Sequence, residues 1–367
     1  MADNKIVKKD KLPRDSNFEL LRIVCMLFVI LTHFIVHGLK TTGSEDVNDI
    51  TFLGTSFTTF IMVAVNSYIL ISGYFSIKVS PRGFFRLYLM VAFYMLAING
   101  FAFVQNGFQL KYVDKIGIIL PFSHSRYWFI QSYFYLFLLS PFLNIITNNC
   151  NKKVFIGLLI LGSIITFYYG FLWNGYINVD GWNFMHFVFI YLIGRFIALH
   201  TSNEKTEKKK WLSLAVYLLC SLIIIGIIQT LIYFGKPSII GKYGLYLNNP
   251  LMVLSSIAFF LFFRNIKIHS KIINWAAVSV LAVYIVHENP VVSKYLYRYV
   301  ATLGEQVSNT FILGVVIFLL AAGILVVCVL FDKVRMIITN PIEEKLCSIP
   351  WESYFDKLVD SINRIVK

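Results

Sequence analysis

Two ionisable residues in the first apolar segment have the types and spacing to take part in chemistry. Arg22 and His33 lie eleven residues apart in NFELLRIVCMLFVILTHFIVHGL, positions 17–39. Eleven residues make about three turns of an α-helix, so the two side chains share one face, about 16 Å apart along the axis. Glu19 and His37 fall near the same stripe. An imidazole exchanges a proton near neutral pH and a guanidinium binds anions, so this stripe suits proton transfer beside an anionic group.

The apolar surroundings of these residues decide how they are interpreted. Ionisable side chains are costly at membrane depth, and by default they mark a functional interior. The alternative is structural: Arg22 extends to the cytoplasmic headgroups, and His33 makes a polar contact between helices. On the residues alone, the functional interpretation is favoured.

The composition indicates a membrane protein. Of the 367 residues, 57% are hydrophobic and 14% charged, and the mean hydropathy is +0.70. Several apolar runs approach 20 residues, enough to cross a bilayer core. The first run has no small-residue cleavage site and is followed by others, so it is predicted to be a retained helix, not a signal peptide. The net charge of +14 is dispersed between the runs, which favours basic cytoplasmic loops over nucleic-acid binding.

The sequence predicts an all-α integral membrane protein, a bundle of about ten transmembrane helices with both termini in the cytoplasm. The orientation rests on an excess of Lys and Arg in the loops assigned to the inner side. Three regions are expected: a basic tail at 1–15, the ten-helix domain at 16–331, and a cytoplasmic tail with an amphipathic helix at 332–367. The predicted spans are 17–39, 51–76, 84–105, 127–147, 154–172, 183–200, 211–234, 247–264, 273–288 and 309–331.

A second basic pair opens the third predicted span on the inner side. Arg82 and Arg86, in SPRGFFR, are four residues apart and point the same way once helical. Planar guanidinium groups bind phosphate oxygens bidentately, so this pair suits an anionic cytoplasmic ligand such as coenzyme A. Ordinary anchoring of a cytoplasmic helix end is an equally good explanation.

Other polar residues give weaker indications. His287 and Glu288 are adjacent at the end of the ninth span, and neighbours in a helix face different sides, so they need not form a pair. Gln131, in the fourth span, is interpreted as a hydrogen-bonding residue between helices. His124 lies in the longest outer connection. The five Cys residues have neither metal-binding nor disulfide spacing, and no metal site is predicted.

The Arg-x10-His arrangement of Arg22 and His33 resembles the opening motif of the acyltransferase 3 family of integral membrane O-acyltransferases. The chain resembles especially the Gram-positive members that modify surface polysaccharides, and the resemblance covers about 16–331. Four further stretches resemble the family in the same order: NSYILISGYF at 66–75, RYWFIQSYFYLFLLSPFLN at 126–144, FIYLIGRFI at 189–197 and VYIVHENPV at 283–291.

This resemblance implies a ten-helix domain that takes an acyl group, usually acetyl, from cytoplasmic acyl-CoA and delivers it to a sugar hydroxyl at the outer face. The family's catalytic residues correspond to Arg22 and His33. Its basic donor-binding motif corresponds to Arg82 and Arg86, although this chain has Gly83 and apolar residues where the fuller motif has more Arg and Pro. The implied partners are membrane lipid, acyl-CoA and a glycan acceptor, and the implied location is the bacterial plasma membrane.

The function expected from this resemblance is O-acetylation of a cell-surface or lipid-linked polysaccharide of the cell envelope, such as an exopolysaccharide. His33 would act as general base, or form an acyl intermediate, and Arg22 would hold the donor or stabilise the developing oxyanion. The main alternative is a transporter that exports a glycan or lipid-linked sugar, because a proton-coupled carrier also uses buried Arg and His. No inverted repeat typical of transporters is evident. A polysaccharide polymerase is a third possibility, disfavoured because the large outer loop expected of one is absent from the sequence.

Overall fold

The computed structural model describes residues 16–41, 49–109, 114–120, 122, 127–236 and 240–351, and the regular secondary structure of this part of the chain is all helical, without strands. The helices, in chain order, are α1 Asn17–His33, α2 Asp49–Ile61, α3 Ala64–Phe75, α4 Pro81–Gln105, α5 Lys115–Ile119, α6 Trp128–Asn149, α7 Lys152–Ser163, α8 Phe184–His200, α9 Glu207–Tyr233, α10 Ile240–Gly244, α11 Pro250–Arg264, α12 Lys271–Ala277, α13 Val280–His287, α14 Pro290–Gln306 and α15 Thr310–Cys347. Two of them continue as π-helix, α1 over Phe34–Gly38 and α7 over Ile164–Leu172.

The predicted all-α membrane protein is confirmed at this level. Within the described ranges, seven helical segments are long and apolar enough to cross a membrane, one of them formed by α2 and α3 together, and α8 and α11 are shorter apolar helices. The ninth predicted span, 273–288, consists of two short helices, α12 and α13, separated by a turn at Val278 and Ser279. The count of ten spans and the cytoplasmic placement of the termini stay predictions.

Helix α1 lies at the centre of the bundle. It contacts α2, α3, α11, α12, α13 and α15. Leu21 and Cys25 belong to one hydrophobic cluster, Met26 and Ile30 to the other, so α1 joins the two halves of the core. A central position explains how polar side chains on α1 are kept away from lipid.

Polar residues followed by proline start three helices at defined points. Ser80, Asn249 and Asn289 each accept a backbone N–H of the following first turn, and each precedes a Pro that lacks an N–H of its own. Proline at the first helical position and an Asn or Ser cap are a favourable combination. The Asn289 cap turns the chain immediately after His287 and Glu288, which fixes where those side chains leave α13.

The last helix crosses the boundary predicted at 331 without a break. Asp332 and Arg335, one turn apart, form a buried ion pair at 2.6 Å, and the Tyr94 hydroxyl of α4 donates to Asp332 at 3.0 Å. A buried charge pair is tolerated when its remaining polar atoms are bonded, as these are. The amphipathic helix predicted for the C-terminal tail lies almost wholly outside the described residues, which reach only Trp351.

Candidate active site

A cavity of about 260 Å³ runs beside α1 from Arg22 to His33. Both residues line it, as their spacing predicts, and most of its other lining groups are apolar or aromatic. Side chains of α3, α6 and α13 complete the wall, among them Tyr68, Phe129 and Tyr284. The cavity is therefore an apolar passage with one ionisable group at each end.

His33 is held by two side chains at the end of α13. Its Nδ1 is 2.7 Å from Oε2 of Glu288 and 3.0 Å from Nε2 of His287. His287 is fully buried, whereas the Glu288 side chain is 23% exposed. The imidazole of His33 therefore has its orientation set by a carboxylate and by a second imidazole.

The hydrogen bonds define which nitrogen of His33 carries its proton. Nδ1 of His287 is 2.7 Å from the carbonyl oxygen of Val283, so it must donate, and Nε2 of a neutral His287 is then an acceptor. Glu288 is also an acceptor when ionised. With two acceptors beside it, Nδ1 of His33 carries the proton. Its Nε2 has the lone pair and no hydrogen-bond partner in the described part of the chain.

Helix α14 supports Glu288. The Tyr297 hydroxyl donates to Oε2 of Glu288 at 3.0 Å, and the Tyr297 ring lies 5.5 Å from that of His37. Burial, followed by the neighbouring carboxylate, raises the pKa of Tyr297, so this phenol stays a donor. The site is thus a chain of oriented groups, Tyr297–Glu288–His33, that leaves one imidazole nitrogen available as a base.

Arg22 lies at the other end of the cavity and points toward the helix N-terminus. Its Nη1 is 2.6 Å from Oε2 of Glu19, one turn earlier, and its backbone carbonyl accepts the Tyr68 hydroxyl at 2.6 Å. Its Nε and Nη2 make no hydrogen bond to a described residue, and the side chain is 26% exposed. These groups can bind an incoming ligand while Glu19 holds the guanidinium in place.

Arg82 and Arg86 do not line this cavity. Arg86 makes two hydrogen bonds, of 2.9 and 3.3 Å, to the Glu343 carboxylate on α15. Arg82 is exposed and bonds to no described side chain. The structure therefore places this pair apart from Arg22 and His33, and donor binding by it stays a prediction.

The contribution of His287 and Glu288 is what sequence reasoning missed. The helical rule puts adjacent side chains on different faces, but α13 ends at His287 and Glu288 occupies its C-cap, where both reach His33. A His-Glu-Asn-Pro run at a helix end is the signal that could have indicated this. Gln131 donates to the Tyr135 hydroxyl at 3.1 Å, and because both residues lie on α6 this bond does not link two helices as the sequence interpretation expected. His124 lies outside the described residues.

The same three groups have the donor set of a two-histidine, one-carboxylate metal site. The ligand atoms of His33, His287 and Glu288 lie within 4.8 Å of one another. Imidazole and carboxylate ligands together suit a first-row transition metal. The present distances of 2.7 and 3.0 Å are those of hydrogen bonds between the groups. A metal on Nδ1 of His33 would take the place of its proton, so metal binding and the base role exclude each other.

Comparison with models of protein families gives a match over most of the chain. The family model described as "Acyltransferase domain", that of acyltransferase 3, matches residues 15–332, nearly the whole chain. A search of curated proteins and a search of solved structures each gave no match. The matched region contains Arg22, His33, His287 and Glu288. The chain belongs to the acyltransferase 3 family and is a multi-pass membrane acyltransferase.

Proposed function

We propose that this protein is an O-acetyltransferase of the bacterial plasma membrane. It moves the acetyl group of cytoplasmic acetyl-CoA to a hydroxyl of a cell-surface or lipid-linked polysaccharide. The observation that carries the proposal is the His33 imidazole, which lines the cavity, is fixed by Glu288 at Nδ1 and makes no hydrogen bond through Nε2 to a described residue.

The transfer follows from that geometry. The acceptor hydroxyl oxygen forms a bond to the thioester carbonyl carbon while its proton moves to Nε2 of His33. The carbon–sulfur bond of the tetrahedral intermediate then breaks, and the imidazolium returns the proton to the departing thiolate. Ionised Glu288 stabilises the imidazolium and keeps the ring in the productive tautomer, as the carboxylate does in a Ser-His-Asp triad. Attack by Nε2 itself, giving an acyl-histidine, would use the same free nitrogen.

The cavity supports the donor assignment. Acyl-CoA has a long, slender arm between its phosphates and its thioester, and the cavity is mainly apolar and extends along about three helical turns of α1. Arg22, at the far end, has two guanidinium nitrogens available for polar groups of that arm. We assign Arg22 to holding the donor, because the reaction centre lies at the His33 end.

Aromatic residues at the cavity support a sugar acceptor. Trp128 and Trp182 both line it, with ring centroids 4.8 Å apart at an interplanar angle of 62°. Aromatic rings offer large, rigid contact surfaces with a polar edge. Such a surface suits the sugar ring of the acceptor, which is apolar on its faces and carries hydroxyl groups at its rim.

Two measurements test the function. Membranes with the protein should transfer label from acetyl-CoA to surface polysaccharide, and deletion of the protein should remove O-acetyl signals from the polysaccharide NMR spectrum while its amount and chain length stay the same. Loss of the polysaccharide itself would instead support the transporter or the polymerase. Retention of all O-acetyl signals would contradict the proposal.

Donor binding by the inner arginines is a separate expectation. The Arg82 guanidinium makes no hydrogen bond to a described side chain, whereas that of Arg86 is already held by Glu343. Replacing both by Gln should raise the KM for acetyl-CoA about tenfold or more per lost contact, since a charge-assisted hydrogen bond contributes about 1.5–3 kcal/mol. Arg82→Gln alone should account for most of the change.

Steady-state kinetics in membranes with matched protein amounts would measure the KM for acetyl-CoA of the double variant and of Arg82→Gln. Lys78→Gln, which removes an exposed charge in the preceding loop, is the control and should leave the KM near wild type. If the folded double variant saturates with acetyl-CoA as the wild type does, both arginines are only membrane anchors.

A further inference from the structure

The reaction needs a hydrogen-bond donor that the residues described so far do not supply. When the hydroxyl attacks, negative charge develops on the thioester carbonyl oxygen, and a donor fixed near that oxygen lowers the barrier. The oxygen must lie near Nε2 of His33. Arg22 starts about 16 Å away along α1 and its side chain turns toward Glu19, in the opposite direction. The donor must therefore come from another element.

Tyr284 is a hydroxyl in the right part of the molecule. It lies on α13, one turn before His287, and it lines the same cavity as His33. Its ring centroid is 6.0 Å from that of His287, which in turn is 5.2 Å from that of His33. Phe129 packs against the Tyr284 ring at 5.6 Å and restricts its position. The phenol is thus held within two ring contacts of the proposed base.

The hydroxyl of Tyr284 is unusual because it is buried and unpaired. Only 5% of the residue is exposed, and its oxygen lies near the backbone amide of Phe129 without making a standard hydrogen bond to any described residue. A buried donor left unpaired is destabilising, so such groups are rare unless a ligand completes them.

Four other hydroxyl side chains line the cavity, those of Thr32, Tyr68, Ser72 and Tyr133, and two of them are already hydrogen-bonded within the fold. Tyr68 donates to the carbonyl of Arg22, at 2.6 Å, and Ser72 donates to the carbonyl of Tyr68, at 3.0 Å. Both serve the fold of α1 and α3. Among these hydroxyls, that of Tyr284 is buried without a hydrogen-bond partner in the described residues, which leaves its proton available to a substrate.

We infer that the Tyr284 hydroxyl donates a hydrogen bond to the thioester carbonyl oxygen and stabilises it as it becomes an oxyanion. This inference rests on the proposed acyl transfer. The proton stays on Tyr284 throughout, while the hydroxyl proton of the acceptor moves to His33. The oxyanion then re-forms the carbonyl as the carbon–sulfur bond breaks.

The test is Tyr284→Phe, which keeps the ring and removes the donor. Loss of one oxyanion donor typically lowers kcat by about 10²–10³-fold. The KM for acetyl-CoA should change little, because the contact strengthens only in the transition state. S-ethyl-CoA, a thioether without the carbonyl oxygen, should inhibit wild type and variant equally. Equal inhibition also reports that the variant is folded.

Tyr217→Phe is the matched control. It removes a buried hydroxyl that donates to the Phe60 carbonyl at 2.8 Å, outside the cavity, and it should retain wild-type kcat in the folded fraction. A fluorinated tyrosine at position 284, which keeps the hydroxyl and strengthens it as a donor, should hold kcat at or above the wild-type value.

The outcomes separate this inference from the function on which it rests. An unchanged kcat in Tyr284→Phe, or a raised KM at unchanged kcat, overturns the oxyanion role while wild-type transfer stands. An equal loss of kcat in the fluorotyrosine variant overturns it as well. No transfer by wild-type membranes overturns the proposed function and this inference with it.

Discussion

His33→Gln should lower acetyl transfer by about 10²–10⁴-fold, the usual cost of losing general-base catalysis. Glutamine keeps a similar size and can hydrogen-bond, but it cannot accept a proton at neutral pH. The amount of folded protein should stay near wild type, because His33 lies at a cavity and not in the packed interior. The affinity for acetyl-CoA should also be retained, since Arg22 is unchanged at the other end of the passage.

The measurement is the transfer of label from acetyl-CoA in membranes with equal protein amounts. His37→Gln is the matched control, because this imidazole is one turn further along, exposed, and 5.6 Å from the ring of His33. It should cost far less than His33→Gln. A fully active His33→Gln enzyme would return His33 to the class of structural polar residues and remove the basis of the mechanism.

The large features of the fold could be predicted from the sequence because they depend on local pattern. Apolar runs near 20 residues predict membrane helices, and the Arg22–His33 spacing predicts one shared face, which the common cavity confirms. A break inside an apolar run is harder to predict. The turn between α12 and α13 carries no proline, and its sequence, Val278-Ser279, does not interrupt the hydrophobic pattern.

The candidate site depends on contacts that local pattern does not contain. His33 meets His287 and Glu288 across more than 250 residues, and Arg86 meets Glu343 across a similar separation. A single sequence gives the helices on which such residues lie but not which helices are neighbours. Tyr284 is hidden for a related reason: a tyrosine in an apolar run is ordinary, and only burial without a partner distinguishes this one.

Glu288→Gln should lower kcat by about 10²-fold or more while leaving the protein folded. The carboxylate has two effects that an amide does not reproduce. It accepts the proton of Nδ1, which keeps the lone pair of His33 on Nε2, and its charge stabilises the imidazolium formed in the reaction. The glutamine amide group can donate to Nδ1 and favour the opposite tautomer.

The corresponding Asp-to-Asn change in a Ser-His-Asp triad lowers kcat by about 10⁴-fold. His287 still presents an acceptor to Nδ1, so the loss here should be smaller.

The kinetic pattern distinguishes this role from a structural one. Loss should appear in kcat with the KM for acetyl-CoA nearly unchanged, and Glu288→Asp, which keeps the charge, should recover part of the rate. Glu305→Gln removes an exposed carboxylate of α14, the helix that follows Glu288, and should behave as wild type. If Glu288→Gln keeps full activity, His33 needs no carboxylate to act, and the 2.7 Å contact is only a hydrogen bond that ties α13 to α1.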